Sequence, residues 1–99
     1  MSEKLLPIGS IIYLEEGMTK VLIISRGFTF DDENEKKVYT DYSGVGYPEG
    51  MKSEDVLYFN HENIAKVFFH GYEDEEEKAF LKEYAKWEEH TTRKKEKIE

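Results

Sequence analysis

A chain of 99 residues carrying 22 acidic and 14 basic side chains, net charge −8, has room for one domain and one modest core. Its charge excludes the basic face that a nucleic-acid binder needs to neutralise phosphates, and its complete lack of cysteine excludes disulfide staples and thiolate chemistry. No run approaches the ~20 apolar residues of a membrane span, and residues 1–7 hold no signal-peptide apolar region, so the expectation is a soluble, cytoplasmic protein with no membrane contact.

Pro7 and Gly9 punctuate the start. Residues 10–14, rich in β-branched side chains, read as a first strand. Glu15, Glu16, Gly17 and Met18 read as a turn, and residues 20–27 read as a second, central strand, so the two strands make a hairpin. Residues 31–37, nearly all charged, read as a solvated loop. Residues 38–42 alternate and predict a third strand with one wet face. Residues 44–50 hold three glycines and Pro48, and predict a short strand running into a tight loop. Residues 55–59 are a short strand or extended arm, residues 60–63 a polar turn with a single helical turn, and residues 64–69 the last strand.

Near residue 71 the apolar period changes to helical spacing. Asp74 is placed to cap a helix, Glu75, Glu76 and Glu77 favour its positive end, and Arg93, Lys94, Lys95 and Lys97 its negative end. Phe80, Tyr84, Trp87, Thr91 and Ile98 share an arc, with Leu81 and Ala85 to one side, so Phe80 and Trp87 are predicted to mark the face docked on the sheet. The expected fold class is α+β: a twisted antiparallel sheet or small barrel of four to six strands with one C-terminal helix. Residues 1–99 form a single domain, with 5–90 as the globular body and 91–99 as a charged, dispensable tail of the helix.

Reaction centres are poorly supported. A calcium loop counted from Asp31 would need glycine at its sixth position and glutamate at its twelfth, but these are Lys36 and Tyr42. His61, His70 and His90 show no metal-ligand spacing, and a His61–Glu62–His70 set lacks the supporting pattern. Ser10, Ser25, Ser43 and Ser53 lie in no nucleophile elbow. Gly44-Val45-Gly46 lacks the third glycine and helix start of a phosphate loop. The carboxylates of residues 73–77 offer no contrast of environment for acid–base work. No enzyme activity, cofactor, metal or small-molecule substrate is expected.

The aromatic count is more telling. Seven Tyr, six Phe and one Trp exceed what a core of this size needs, and Tyr and Trp are favoured interface anchors. Tyr47, Pro48, Tyr58, Phe59 and Tyr72 sit at the ends of predicted elements, and form the expected partner-binding set.

Several segments, taken in order, resemble a known family: residues 5–10 and 20–26 with Gly17, then Asp41-Tyr42, Gly44-Val45, residues 47–50, residues 58–64 and residues 71–77. The chain is similar to a small Gram-positive family, catalogued as a domain of unknown function, that is encoded beside LXG-type toxins of type VII secretion. Loop 31–37 and the tail beyond Trp87 depart from that pattern. The resemblance implies a non-enzymatic chaperone or targeting partner. It would bind the N-terminal helical domain of an LXG toxin, alongside small WXG-like helical proteins. Two other readings remain open at this point: an immunity protein that binds the toxin's catalytic domain, for which acidity suits a basic nuclease, and a small enzyme or ligand-binding barrel, which would need a deep pocket lined by convergent polar groups.

Overall fold

The computed structural model describes residues 5–15, 17–52 and 55–96; Glu16, Ser53, Lys97 and Ile98, weighed above, lie outside them. Along the chain come β1 (Ile11–Leu14), β2 (Lys20–Asp31), β3 (Lys37–Tyr47), β4 (Leu57–Phe59), a 3₁₀ turn (His61–Asn63), β5 (Ile64–Phe69), α1 (Glu75–His90) and β6 (Lys94–Lys95). The strands form one six-stranded sheet ordered β4-β3-β2-β1-β5, with β6 beside β3. Every pairing is antiparallel except the two-residue β3–β6 contact. The sheet is open, with β4 and β5 at its two ends. The α+β class therefore holds in its open-sheet form, not as a barrel.

Two elements run further than their composition suggests. The acidic segment between β2 and β3 is a tight turn. Asp32 Oδ1 accepts from the amides of Asn34 and Lys36, both at 2.9 Å, and Glu35 takes a left-handed φ of 61°. A side chain that satisfies local amides in this way closes the hairpin. The β2–β3 ladder thus extends from Lys20↔Tyr47 to Asp31↔Lys37. β3 also continues through the glycine-rich stretch to Tyr47. A Cβ on Gly44 would come within 2.6 Å of Val21 Cγ1 and 2.8 Å of the Leu22 carbonyl oxygen, so glycine here serves close strand packing.

The core gathers Leu5, Ile12, Val21, Ile23, Tyr39, Tyr42, Phe59 and Tyr84, with Leu81 and Trp87 packed against it. Helix α1 starts as the sequence indicates, with the Asp74 side chain accepting from the Glu77 amide at 3.0 Å. Its docking centre is Tyr84, 8% exposed. The Tyr84 ring lies over Gly27, 2.7 Å from where a Cβ would stand; that glycine has φ +64° and suits both the turn of the backbone and the ring above it. Trp87 meets Tyr39 edge-on at 4.8 Å. Arg26 and Glu77 tie the first helical turn to β2 through two contacts of 2.7 Å, a bidentate pair.

Two expectations need correction. Phe80 is 39% exposed; it covers the Arg26 guanidinium at 4.5 Å at the margin of the interface. The periodicity located the arc but not its centre, which lies one turn further on. The segment after His90 is not a helical tail. Thr91 caps the helix, and the chain turns back to lay β6 along β3, pairing Val38↔Lys94 and Tyr39↔Lys95. Arg93 donates to the carbonyls of Phe30 and Val38, and the Glu96 amide donates to the Tyr39 carbonyl at 2.7 Å.

Urea unfolding of single variants checks this packing. Tyr84→Ala should cost about 3–5 kcal/mol, as for other buried aromatics, and Phe80→Ala about 1 kcal/mol for its cation–π contact. Equal costs would place the helix in the wrong register. Deleting residues 91–99 should cost at least about 2 kcal/mol, because buried partners on β3 are then left unsatisfied; unchanged stability would remove the tail from the fold.

Candidate interaction surfaces

Asp41, 2% exposed, places a buried carboxylate in the middle of β3. Its Oδ2 accepts from the His61 amide at 2.9 Å and pairs with Lys95 Nζ at 2.7 Å. Its Oδ1 accepts from the Tyr84 hydroxyl at 3.3 Å. Neighbouring Asn60, fully buried, accepts from the Asp41 amide through Oδ1 at 3.0 Å and donates from Nδ2 to the Glu96 carbonyl. A carboxylate beside a tyrosine, a lysine and a histidine superficially suggests a reaction centre, but here the partners are the helix, the 3₁₀ turn and the tail. The cluster fastens these three to the sheet.

This clasp shifts the groups around it. Burial pushes the Tyr39 and Tyr84 phenols well above their ordinary range, with Glu88 adding to the first and Asp41 to the second. Burial alone would lower the Lys95 ammonium; the hydrogen bond and charge of Asp41, with Glu62 behind it, outweigh that and hold it above its usual value. All three folded values are raised, so each contributes stability that is complete below the unfolded value and is lost as pH rises through the folded one. The domain should hold full stability up to about pH 10, where unfolded tyrosine and lysine begin to titrate, and weaken steadily above it. Denaturant midpoints measured from neutral pH to pH 11 check this, and Tyr84→Phe should flatten the alkaline slope.

His61 Nδ1 lies 2.7 Å from the Tyr42 hydroxyl, His70 Nδ1 lies against the Gly71 carbonyl and His90 Nδ1 against the Lys86 carbonyl. Among the described residues no group of three or more His, Cys, Asp or Glu is placed to hold a metal, and no helix is long and apolar enough to cross a membrane.

The surface is more distinctive. Tyr39 packs on the helix, so the pleat turns Val38 and Thr40 to the other face. Phe28 and Phe30 are their cross-strand partners and so share that far face. There Phe28 meets Tyr58 at 4.8 Å and Phe30 lies 5.9 Å from it. Tyr58 and Leu57 then lead into an open cavity of about 550 Å³ between the β1–β2 turn and β4, whose wall includes Leu14, Met18, Val21 and Phe59. Met18 stands almost fully exposed on its rim.

A second patch sits at the other end of the sheet. Tyr13 meets Phe68 edge-on at 4.8 Å. Lys20 reaches over Phe68 at 5.0 Å and Tyr47 at 6.0 Å, and Lys66 over Phe68 at 4.9 Å.

The structure divides the expected partner-binding set. Tyr47 and Pro48 are exposed, joined by a cis peptide bond, and Tyr47 belongs to the Lys20–Phe68 patch. Tyr58 belongs to the Phe28–Phe30 patch. Tyr72, 80% exposed, stands apart, beside a hollow shared with Ile8, Arg26 and Phe80. Phe59 is not a surface residue: it is 1% exposed and stacks on Tyr42 at 5.3 Å. Successive residues of β4 point to opposite faces, and a three-residue apolar strand does not reveal which of Tyr58 and Phe59 is inside. Phe68 was missed because it sits within an expected strand, where an aromatic reads as core, and Phe28 and Phe30 because they lie past residue 27, where the second strand was expected to end, on a stretch that the structure adds to β2. The signal for Phe28 and Phe30 was their alternation with Thr29 at the charged end of β2.

No curated protein and no solved structure gives a significant match to the chain. One family model does, described as a domain of unknown function and matched over residues 5–80. Those residues hold the sheet up to β5 and the first turns of α1, and the chain belongs to the DUF4176 family.

Proposed function

We propose that this protein is a non-enzymatic chaperone or targeting partner, which binds the N-terminal helical domain of an LXG toxin and presents it for type VII secretion, alongside small WXG-like helical proteins. The toxin assignment rests on the family resemblance that the segments from Leu5 to Glu77 carry. The observation that carries partner binding is the run of apolar surface from exposed Phe28 and Tyr58, with half-buried Phe30 beside them, into the cavity edged by Leu57 and Met18. Contiguous aromatic surface of this kind marks interaction sites, and a groove with an aromatic wall suits the apolar stripe of an amphipathic helix. Met18 gives the rim an adaptable side chain.

Co-purification with separated halves of the cognate toxin tests the proposal. The N-terminal half should be captured. Tyr58→Ala, checked for intact folding, should weaken capture about thirtyfold, the loss of roughly 2 kcal/mol typical of an aromatic hot spot. Tyr72→Ala, outside the patch, should leave it unchanged. Capture of the C-terminal half alone, with protection from its activity, would replace this reading with the immunity one.

A further inference from the structure

β5 ends the sheet, and its sequence is Ile64-Ala65-Lys66-Val67-Phe68-Phe69. An edge strand presents a row of backbone donors and acceptors along its outer side, and a short, charged or covered edge is the usual protection. β5 is six residues long and only Lys66 is charged. Its apolar side chains remain open on both faces: Val67 is 44% exposed, Phe68 40% and Phe69 57%. The two faces differ in character. Lys66 pairs across β1 with Tyr13, so Lys66 and Phe68 share the Tyr13 face, which also gathers Lys20. Val67 pairs with Ile12, a fully buried core residue, so the Val67 face continues the core to its open margin.

We propose that β5 is a strand-addition site for an extended acidic segment of a partner polypeptide. The segment would alternate carboxylate side chains, meeting Lys66 and Lys20, with apolar side chains that extend the core past Val67. The period-two geometry of a strand dictates this alternation, and backbone pairing supplies the affinity. Charge selects the occupant. In a chain of net charge −8, Lys20 and Lys66 lie within about 5 Å of one Phe68 ring, and no described carboxylate pairs with either. A second copy of this chain is the poorer fit. Two-fold pairing of β5 with itself would crowd two Lys66 side chains, and like charges opposed across strands destabilise pairing. The site adds a contact distinct from the Tyr58 groove, and rests on the functional reading above only in taking a polypeptide as its ligand.

The probes are two nine-residue capped peptides, one alternating Glu with Val and one alternating Lys with Val, titrated into the full chain and followed by backbone amide NMR. The acidic peptide should bind, with shifts and slowed amide exchange confined to β5 and its β1 neighbours. The basic peptide should not bind. The double variant Lys20→Glu/Lys66→Glu, with both changes on exposed positions, should lose the acidic peptide tenfold or more and gain the basic one. Failure of the acidic peptide to bind, equal binding of both peptides, or shifts away from β5 would overturn the proposal. Concentration-dependent dimerisation that protects β5 without peptide would assign the edge to a second copy instead. Toxin capture by the wild type is scored separately. Its loss with peptide binding intact removes the toxin reading, and peptide failure with toxin capture intact removes the strand site alone.

Discussion

Asp41 brings a carboxylate into the middle of the sheet with almost no solvent contact, and the arrangement of the second half of the chain follows from satisfying it. Taking a carboxylate out of water is costly unless its oxygens find donors and a countercharge. The three donors come from three places that sequence separates widely: the 3₁₀ turn at His61, the helix at Tyr84 and the returning tail at Lys95. A core this small cannot specify the placement of a helix and a two-residue strand by apolar area alone. A polar node that is satisfied in only one arrangement can, and Asn60 extends the same logic by bonding both the Asp41 amide and the Glu96 carbonyl.

The clasp also explains where the apolar surplus goes. The helix and tail cover the sheet around β2 and β3, and the aromatic side chains that fit beneath them are Tyr39, Tyr42, Phe59, Tyr84 and Trp87. The remaining large rings are distributed over the far face and the β5 end, where Phe28, Phe30 and Tyr58 contact one another in one cluster and Phe68 meets Tyr13 in another. Retaining such surface exposes apolar area to water, and contiguous patches of this sort are where partners bind. The two patches differ in chemistry. One is an aromatic groove with a methionine rim. The other is a strand edge with two lysines, in a protein otherwise dominated by acids.

Much of the fold was legible in the sequence because periodicity is local. The β1–β2 hairpin, the last strand Ile64–Phe69 and the Asp74 cap each follow from a few adjacent residues. The features that escaped depend on distant contacts. Nothing near residue 94 signals a strand, because β6 exists only through its pairing with Val38 and Tyr39. The composition of residues 31–37 signals a solvated loop, whereas the Asp32 carboxylate organises it into a turn. Helical spacing found the arc of Phe80, Tyr84 and Trp87 but could not locate its centre. Of the partner-binding set, Tyr47, Tyr58 and Tyr72 are exposed, and Phe59 is buried because strand alternation turns it inward. The wider patches were invisible because their members come from five different strands.

Native-state amide exchange on Asp41→Asn tests the clasp most directly. This change keeps the shape of the side chain while removing its charge and replacing one acceptor oxygen. The amides of His61 and Glu96, and those of the helix around Tyr84, should lose protection together, while Ile12 and Val21 in the sheet core exchange only with global unfolding. Protection at Glu96 and the helix that stays at wild-type levels in this variant would contradict the account, and would mean that apolar packing alone positions the second half of the chain.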